Sequence, residues 1–223
     1  MALTKFNFNS FDVTSAASKG LGFNASANGF STINPGSMTL IKTLTASSSA
    51  TLSFVHGSSD VVLDNTYPVY VFKFINIHAS TDNAEFGFKM SVDTGSNYNV
   101  AKTTTAFRSY HPEDNSSTAF NYVGTFDLAQ GTGLQPLSIN QGIANDNCAV
   151  GTLHLFNPSS TTFVKHFIAN TLNNHSENVA PAPVDNYFAG YGNTTSAVDA
   201  IQFAYSSGTI DAGTIKMYGI KDS

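Results

Sequence analysis

Imidazoles are the commonest metal ligands and general bases, so the six histidines come first: His56, His78, His111, His154, His166 and His175. None stands four residues from another, and no cysteine pair accompanies them, so the usual spacing of a zinc site is missing. His154 and His166 fall on expected strands and can become neighbours in space; the plainer reading puts them on polar strand faces. Two carboxylates set across a cleft can hydrolyse a glycan. The nearest local pair is Glu113-Asp114, which follows Pro112 and reads as a solvated loop. Asp93, Asn97 and Asn99 alternate like the oxygen ligands of a calcium loop but lack its closing bidentate glutamate. Asn145-Asp146-Asn147 is a weaker version of the same pattern. Cys148 is the single cysteine, so it reads as a half-buried thiol with no internal partner. There is no Gly-x-Ser-x-Gly elbow, no phosphate-binding loop and no dinucleotide turn. Tyr98 and Tyr110 lie in loop-rich stretches where an exposed ring can meet a ligand. No catalytic, cofactor-binding or metal-binding residue is assigned.

Composition narrows the field further. Charged residues make up 11% of 223, against a usual level of about 25%. Ser, Thr and Asn fill roughly a third of the chain instead, a composition of strands and turns. Ten basic residues against fifteen acidic ones, with Arg108 the one arginine, disfavour a nucleic-acid partner, because counterion release needs clustered cations. Apolar runs such as Val69–Ile75 are too short to span a bilayer as a helix. Met1–Phe11 alternates Phe with Asn and carries no apolar core of a secretory signal, so synthesis without oxidative folding is expected.

The elements that must position these residues are strands. Alternation puts Phe86, Phe88 and Met90 on one face, and does the same for Ile201, Phe203 and Tyr205, and for Ile215 with Met217. Val69–Ile77 and Phe163–Ile168 are bulky on both faces, which suits central strands covered by a second sheet and by a loop or partner chain. Further strands are expected at Met38–Thr45, Ala50–Val55, Thr104–Ser109, Asn121–Phe126, Val150–Phe156 and Asn186–Ala189. About eleven short strands with frequent turn residues predict an all-β sandwich or barrel. Eighteen Phe and nine Tyr supply its filling. Two weak helix signals remain, Asp12–Leu21 and Thr125–Gly131. Residues 1–36 hold five Gly and Pro and the small run Ser15–Ser18, closed by Asn34-Pro35-Gly36. They read as an arm outside a sandwich of residues 37–223.

The stretch GTLHLFNPSSTTFVKHFIA (151–169), the ending AVDAIQFAYSSGTIDAGTIKMYGIKDS (197–223) and residues 40–81 resemble virion surface proteins of tailed bacteriophages, marine and cyanobacterial ones especially. The final hairpin, from IQFAY to TIKMYGIK, is the most specific part. The resemblance implies a jelly-roll-like antiparallel β-sandwich in a tail fibre, receptor-binding head or capsid decoration, without a catalytic motif to transfer.

Three functions follow as expectations. The first is a non-enzymatic structural component of a phage particle, made in the host cytoplasm. It would assemble as a homo-oligomer, a trimer in a fibre or spike form, with the arm holding other virion proteins. The second is a carbohydrate-binding module for host surface glycan. The third, and weakest, is a glycan-degrading enzyme. No cofactor, nucleic acid or membrane insertion is expected.

Overall fold

The computed structural model describes residues 20–23, 26, 30–33, 36–175 and 181–221. Among them are fourteen strands and no helix: β1 (Gly20–Phe23), β2 (Phe30–Ile33), β3 (Met38–Thr45), β4 (Leu52–Val55), β5 (Val69–Ala79), β6 (Phe86–Ser91), β7 (Lys102–Tyr110), β8 (Ala119–Tyr122), β9 (Gln135–Pro136), β10 (Ala149–Phe156), β11 (Lys165–Asn174), β12 (Pro183–Gly192), β13 (Ala200–Tyr205) and β14 (Ile210–Ile220). Eight strands in the order β3-β14-β5-β10-β11-β12-β7-β8 make one layer, and β4-β13-β6-β9 make the second. Every bonded pair is antiparallel. The chain is an all-β sandwich. Within the stretch read as an arm, β1 and β2 form a two-stranded sheet of their own.

Period-two patterning builds the core. Phe86, Phe88, Met90, Ile201, Phe203, Ile215 and Met217 are all fully buried, and Tyr205 nearly so. Phe203 on β13 is the hub. Its ring centroid lies 5.3 Å from Phe74, 5.4 Å from Phe72, 5.9 Å from Phe86, 6.2 Å from Phe54 and 6.5 Å from Phe88. Phe72 and Phe74 belong to the larger sheet, so one side chain ties both layers. Phe88 adds a second tie, edge-on to Phe167 of β11 at 5.0 Å. Such offset and edge geometries suit ring quadrupoles. Where β5 and β14 pair, the register slips at Asn76, with φ 51°, opposite Gly213, with φ 114°. A side chain at Gly213 would sit 2.5 Å from the Asn76 carbonyl oxygen.

The sequence signals helices at Asp12–Leu21 and Thr125–Gly131. Residues 12–19 lie outside the described residues, while Gly20 and Leu21 belong to β1. Thr125–Gly131 is not helical. The Thr104 hydroxyl accepts the Leu128 N–H, the Thr103 hydroxyl accepts that of Gln130, and Gly131 exchanges backbone bonds with Lys102. These bonds hold the segment beside β7 in place of a helical ladder. The strand expected at Asn121–Phe126 is Ala119–Tyr122, because Phe126 N–H turns back to Val123. β11 starts at Lys165 rather than Phe163. The Ser160 hydroxyl takes the N–H groups of Thr162 and Phe163 and keeps that stretch a turn.

Candidate functional site

The inward face of the eight-stranded sheet carries the core, and its outward face is open to solvent. Register fixes what stands there. One cross-strand row reads Tyr218, Val71, His154, Ile168, Ala189 and Thr105, from β14 to β7, with Leu40 of β3 beside Tyr218. A second row holds Ile220, Val69 and Phe156 on one side and His166, Tyr191 and Thr103 on the other. Neither row carries a carboxylate, lysine or arginine. Ile168 is 54% exposed and Leu40 50%, and Ile75 and Leu172 are exposed nearby. Val71, in the same row, is buried; four exposed aliphatic side chains on one sheet face still exceed the scattered single ones that are ordinary on a surface. Between the rows, at β11, β12 and β7, small residues Ala189 and Gly190 leave a depression of about 400 Å³. Flanking the rows are Lys73 and Lys216, paired across β5 and β14, and Asp185 on β12. The Lys73 ammonium rests 5.2 Å from the Tyr218 ring centre.

Where the sheet meets the 111–118 loop lies a second cavity, about 540 Å³, lined by Ser109, Tyr110, His111, Phe120, Leu172 and Asp185 among others. Phe120 is 73% exposed and leans edge-on against Phe107 at 5.5 Å. The Asp185 carboxylate accepts from the Asn170 amide at 2.8 Å. An exposed ring with a carboxylate and a hydroxyl beside it can take an apolar sugar face and its hydroxyls.

No protein-family model matches this chain. Neither the curated proteins nor the solved structures contain a match either.

The candidate residues read from the sequence are scattered. His56 accepts the Leu63 N–H, His78 sits 3.6 Å from Asp211, and His111 bonds Asn115. His154 and His166 do share the outward face on adjacent strands, offset by two residues, but each keeps to an aromatic neighbour, Phe156 and Tyr191 respectively. Burial holds the His154 imidazole below its ordinary range. Among the described residues, no three His, Cys, Asp or Glu side chains gather as a metal would require. In the calcium-like loop, the Asp93 carboxylate accepts from the Ser91 hydroxyl, the Asn97 backbone and the Asn97 amide, which drives its pKa down to about 2. The loop thus satisfies its own carboxylate. Asp114, of the Glu113-Asp114 pair, likewise accepts from Ser116 and titrates below its ordinary range. Asn147 is buried, while Asp146 uses its carbonyl to accept from Asn174. Burial raises the Cys148 thiol, and Asn76 is its neighbour at 4.0 Å. Tyr98 packs on the Gly95 turn.

Sequence reasoning missed a polar corner on the inward side. Arg108 donates to His175 Nε2 at 3.4 Å and lies over the Tyr110 ring at 5.2 Å. Burial first, then the guanidinium charge, pushes His175 down to about 4, so its imidazole is neutral and accepting at pH 7. Next to Arg108 in register is Asn186, whose amide N–H groups go to Asn173, Thr171 and Val184. Only pairing brings these residues together; their separations in the chain carry no signal.

Proposed function

We propose that this chain is a non-enzymatic structural component of the outer surface of a tailed phage particle, as a capsid decoration or a tail-fibre adsorption protein, and that it works by assembling with further copies. The observation that carries this reading is the outward face of the eight-stranded sheet, with two uncharged rows and exposed Leu40, Ile75, Ile168 and Leu172. A surface protein made in many copies needs such a face and little charge to bury. The sandwich supplies a rigid body and leaves loops at its ends for contact. The virion resemblance of residues 40–81, 151–169 and 197–223 supports the location, and residues 1–36 would hold a neighbouring virion protein. Antibody labelling of purified particles, with copy number from quantitative mass spectrometry, tests it. Capsid stoichiometry identifies a decoration and a few dozen copies a fibre. Absence from particles refutes both.

The 540 Å³ cavity favours a second reading, binding of host surface glycan. On that reading Phe120→Ala abolishes binding to a host-glycan array at millimolar sugar, and an array showing no binding by the unaltered protein rejects it.

A further inference from the structure

We infer that the outward face of the eight-stranded sheet is a two-fold interface with a second copy of this chain; the inference rests on the assembly reading above and names the surface that assembles. The area is sufficient. The seven strands crossed by the uncharged rows are 8–11 residues long. At about 4.8 Å between strands and about 3.3 Å per residue they present a face of about 30 Å by about 30 Å, or roughly 900 Å². A standard stable interface buries about 800 Å² per partner.

Symmetry and charge point to a second copy as the occupant. The midline of the sheet falls between β10 and β11, the fourth and fifth of its eight strands. A two-fold axis along that line, lying in the interface, exchanges β5 with β12 and β14 with β7. At row level, Tyr218 of one copy then meets Thr105 of the other, over the depression beside Ala189 and Gly190. The Tyr218 ring thus faces the depression, twice. Lys73 shares its row with Thr152, Asn170 and Tyr187. The axis therefore sets Lys73 above the partner copy's exposed Tyr187 ring, and Asp185 is two residues further along the same strand. Of the charged groups that flank the rows, Lys73 and Lys216 lie on one side of the midline and Asp185 on the other, so self-pairing brings these opposite charges together. Ile168 and His154, paired across the midline, are exchanged by the axis, so Ile168 of each copy lies over His154 of the other in an uncharged centre.

Light scattering on the full chain at micromolar concentration should give twice 23.7 kDa. Ile168→Asp buries a carboxylate at the centre, beside His154 imidazoles that burial keeps neutral, and should weaken the dimer about 100-fold or more. Because Ile168 is half exposed in the single copy, its melting transition should persist, and Thr105→Arg gives an independent disruption. Phe163→Ser, on an exposed loop outside the face, should leave the dimer intact. Lys73→Glu should weaken association and the double variant with Asp185→Lys should restore it, an outcome that mere loss of packing would not produce. A monomer at all concentrations, or a closed trimer that survives Ile168→Asp, overturns the inference. Either result leaves the particle-labelling experiment free to succeed or fail by itself.

Discussion

Lys102 and Lys165 stand on one inward row, on β7 and β11, with Gly192 of β12 between them, and both are fully buried. Their surroundings differ. The Lys165 ammonium donates to three carbonyls, Ser160, Phe163 and Thr194, and ties two loops to the end of β11. Lys102 donates to Val100 alone, and burial with help from Lys89 pulls it down to about 8. Lys165→Met should therefore destabilise by about 2–4 kcal/mol, since it removes three charge-assisted hydrogen bonds that tie two loops to β11. Lys102→Met should stabilise at pH 7 by about 1–3 kcal/mol, since it removes a poorly compensated charge. Urea denaturation of the two variants at pH 7 checks both signs. His175 gives the molecule an acid limit. Its folded pKa is about 4 against 6.5 for the free side chain, so the unfolded chain binds the proton first. That stability is complete above about pH 6.5 and drains away as pH falls to about 4, on the order of 3 kcal/mol in all. His175→Gln should flatten the stability curve across that window, measured by thermal unfolding at half-unit pH steps.

At the level of elements, the sandwich depends on rings that reach across it. Phe203→Ala removes contacts with Phe54, Phe72, Phe74, Phe86 and Phe88 together, and should cost about 3–5 kcal/mol in chemical denaturation. Strand approach is as demanding as ring packing. At Gly87 on β6 an added methyl would lie 2.3 Å from the backbone oxygen of Gln135 on β9. Gly87→Ala should therefore part these strands and lower the melting temperature by several degrees, about 1–3 kcal/mol. At Gly219 the same methyl would lie 2.3 Å from Cγ of the buried Tyr67 ring, which packs edge-on against Tyr70, so a comparable penalty is expected.

For the whole molecule, charge is a minor term. His78 pairs with Asp211 at 3.6 Å, charged residues make up 11% of the chain, and the net charge is −5. Raising sodium chloride from about 0.05 M to 0.5 M should move the melting temperature by less than about 2 °C, because screening has little to weaken. A steep fall in differential scanning fluorimetry would show instead that charge pairs carry the fold. The proposed assembly on the outward sheet face would follow the same logic, with uncharged rows at its centre and Lys73 and Asp185 setting direction.

Strand identity was legible because a strand's side chains alternate with the bond-to-bond period of the backbone. Met38–Thr45 and Ala200–Tyr205 match β3 and β13 end to end, and the inward faces of β6, β13 and β14 are the ones alternation assigns. The doubly apolar pattern of Val69–Ile77 marked β5 as central, where it stands between β14 and β10. Local order stopped being legible where side chains captured backbone groups, as Thr103, Thr104 and Ser160 do at 128–130 and 162–163. The sequence by itself determined the class of fold, since the burial of each strand face depends on neighbours two residues apart. Only the tertiary structure decided which residues share a surface. Leu40, Ile168 and Tyr218, or Arg108 with His175, come from distant strands, and the strand order that joins them is set by the packing of the whole core, which no local pattern encodes.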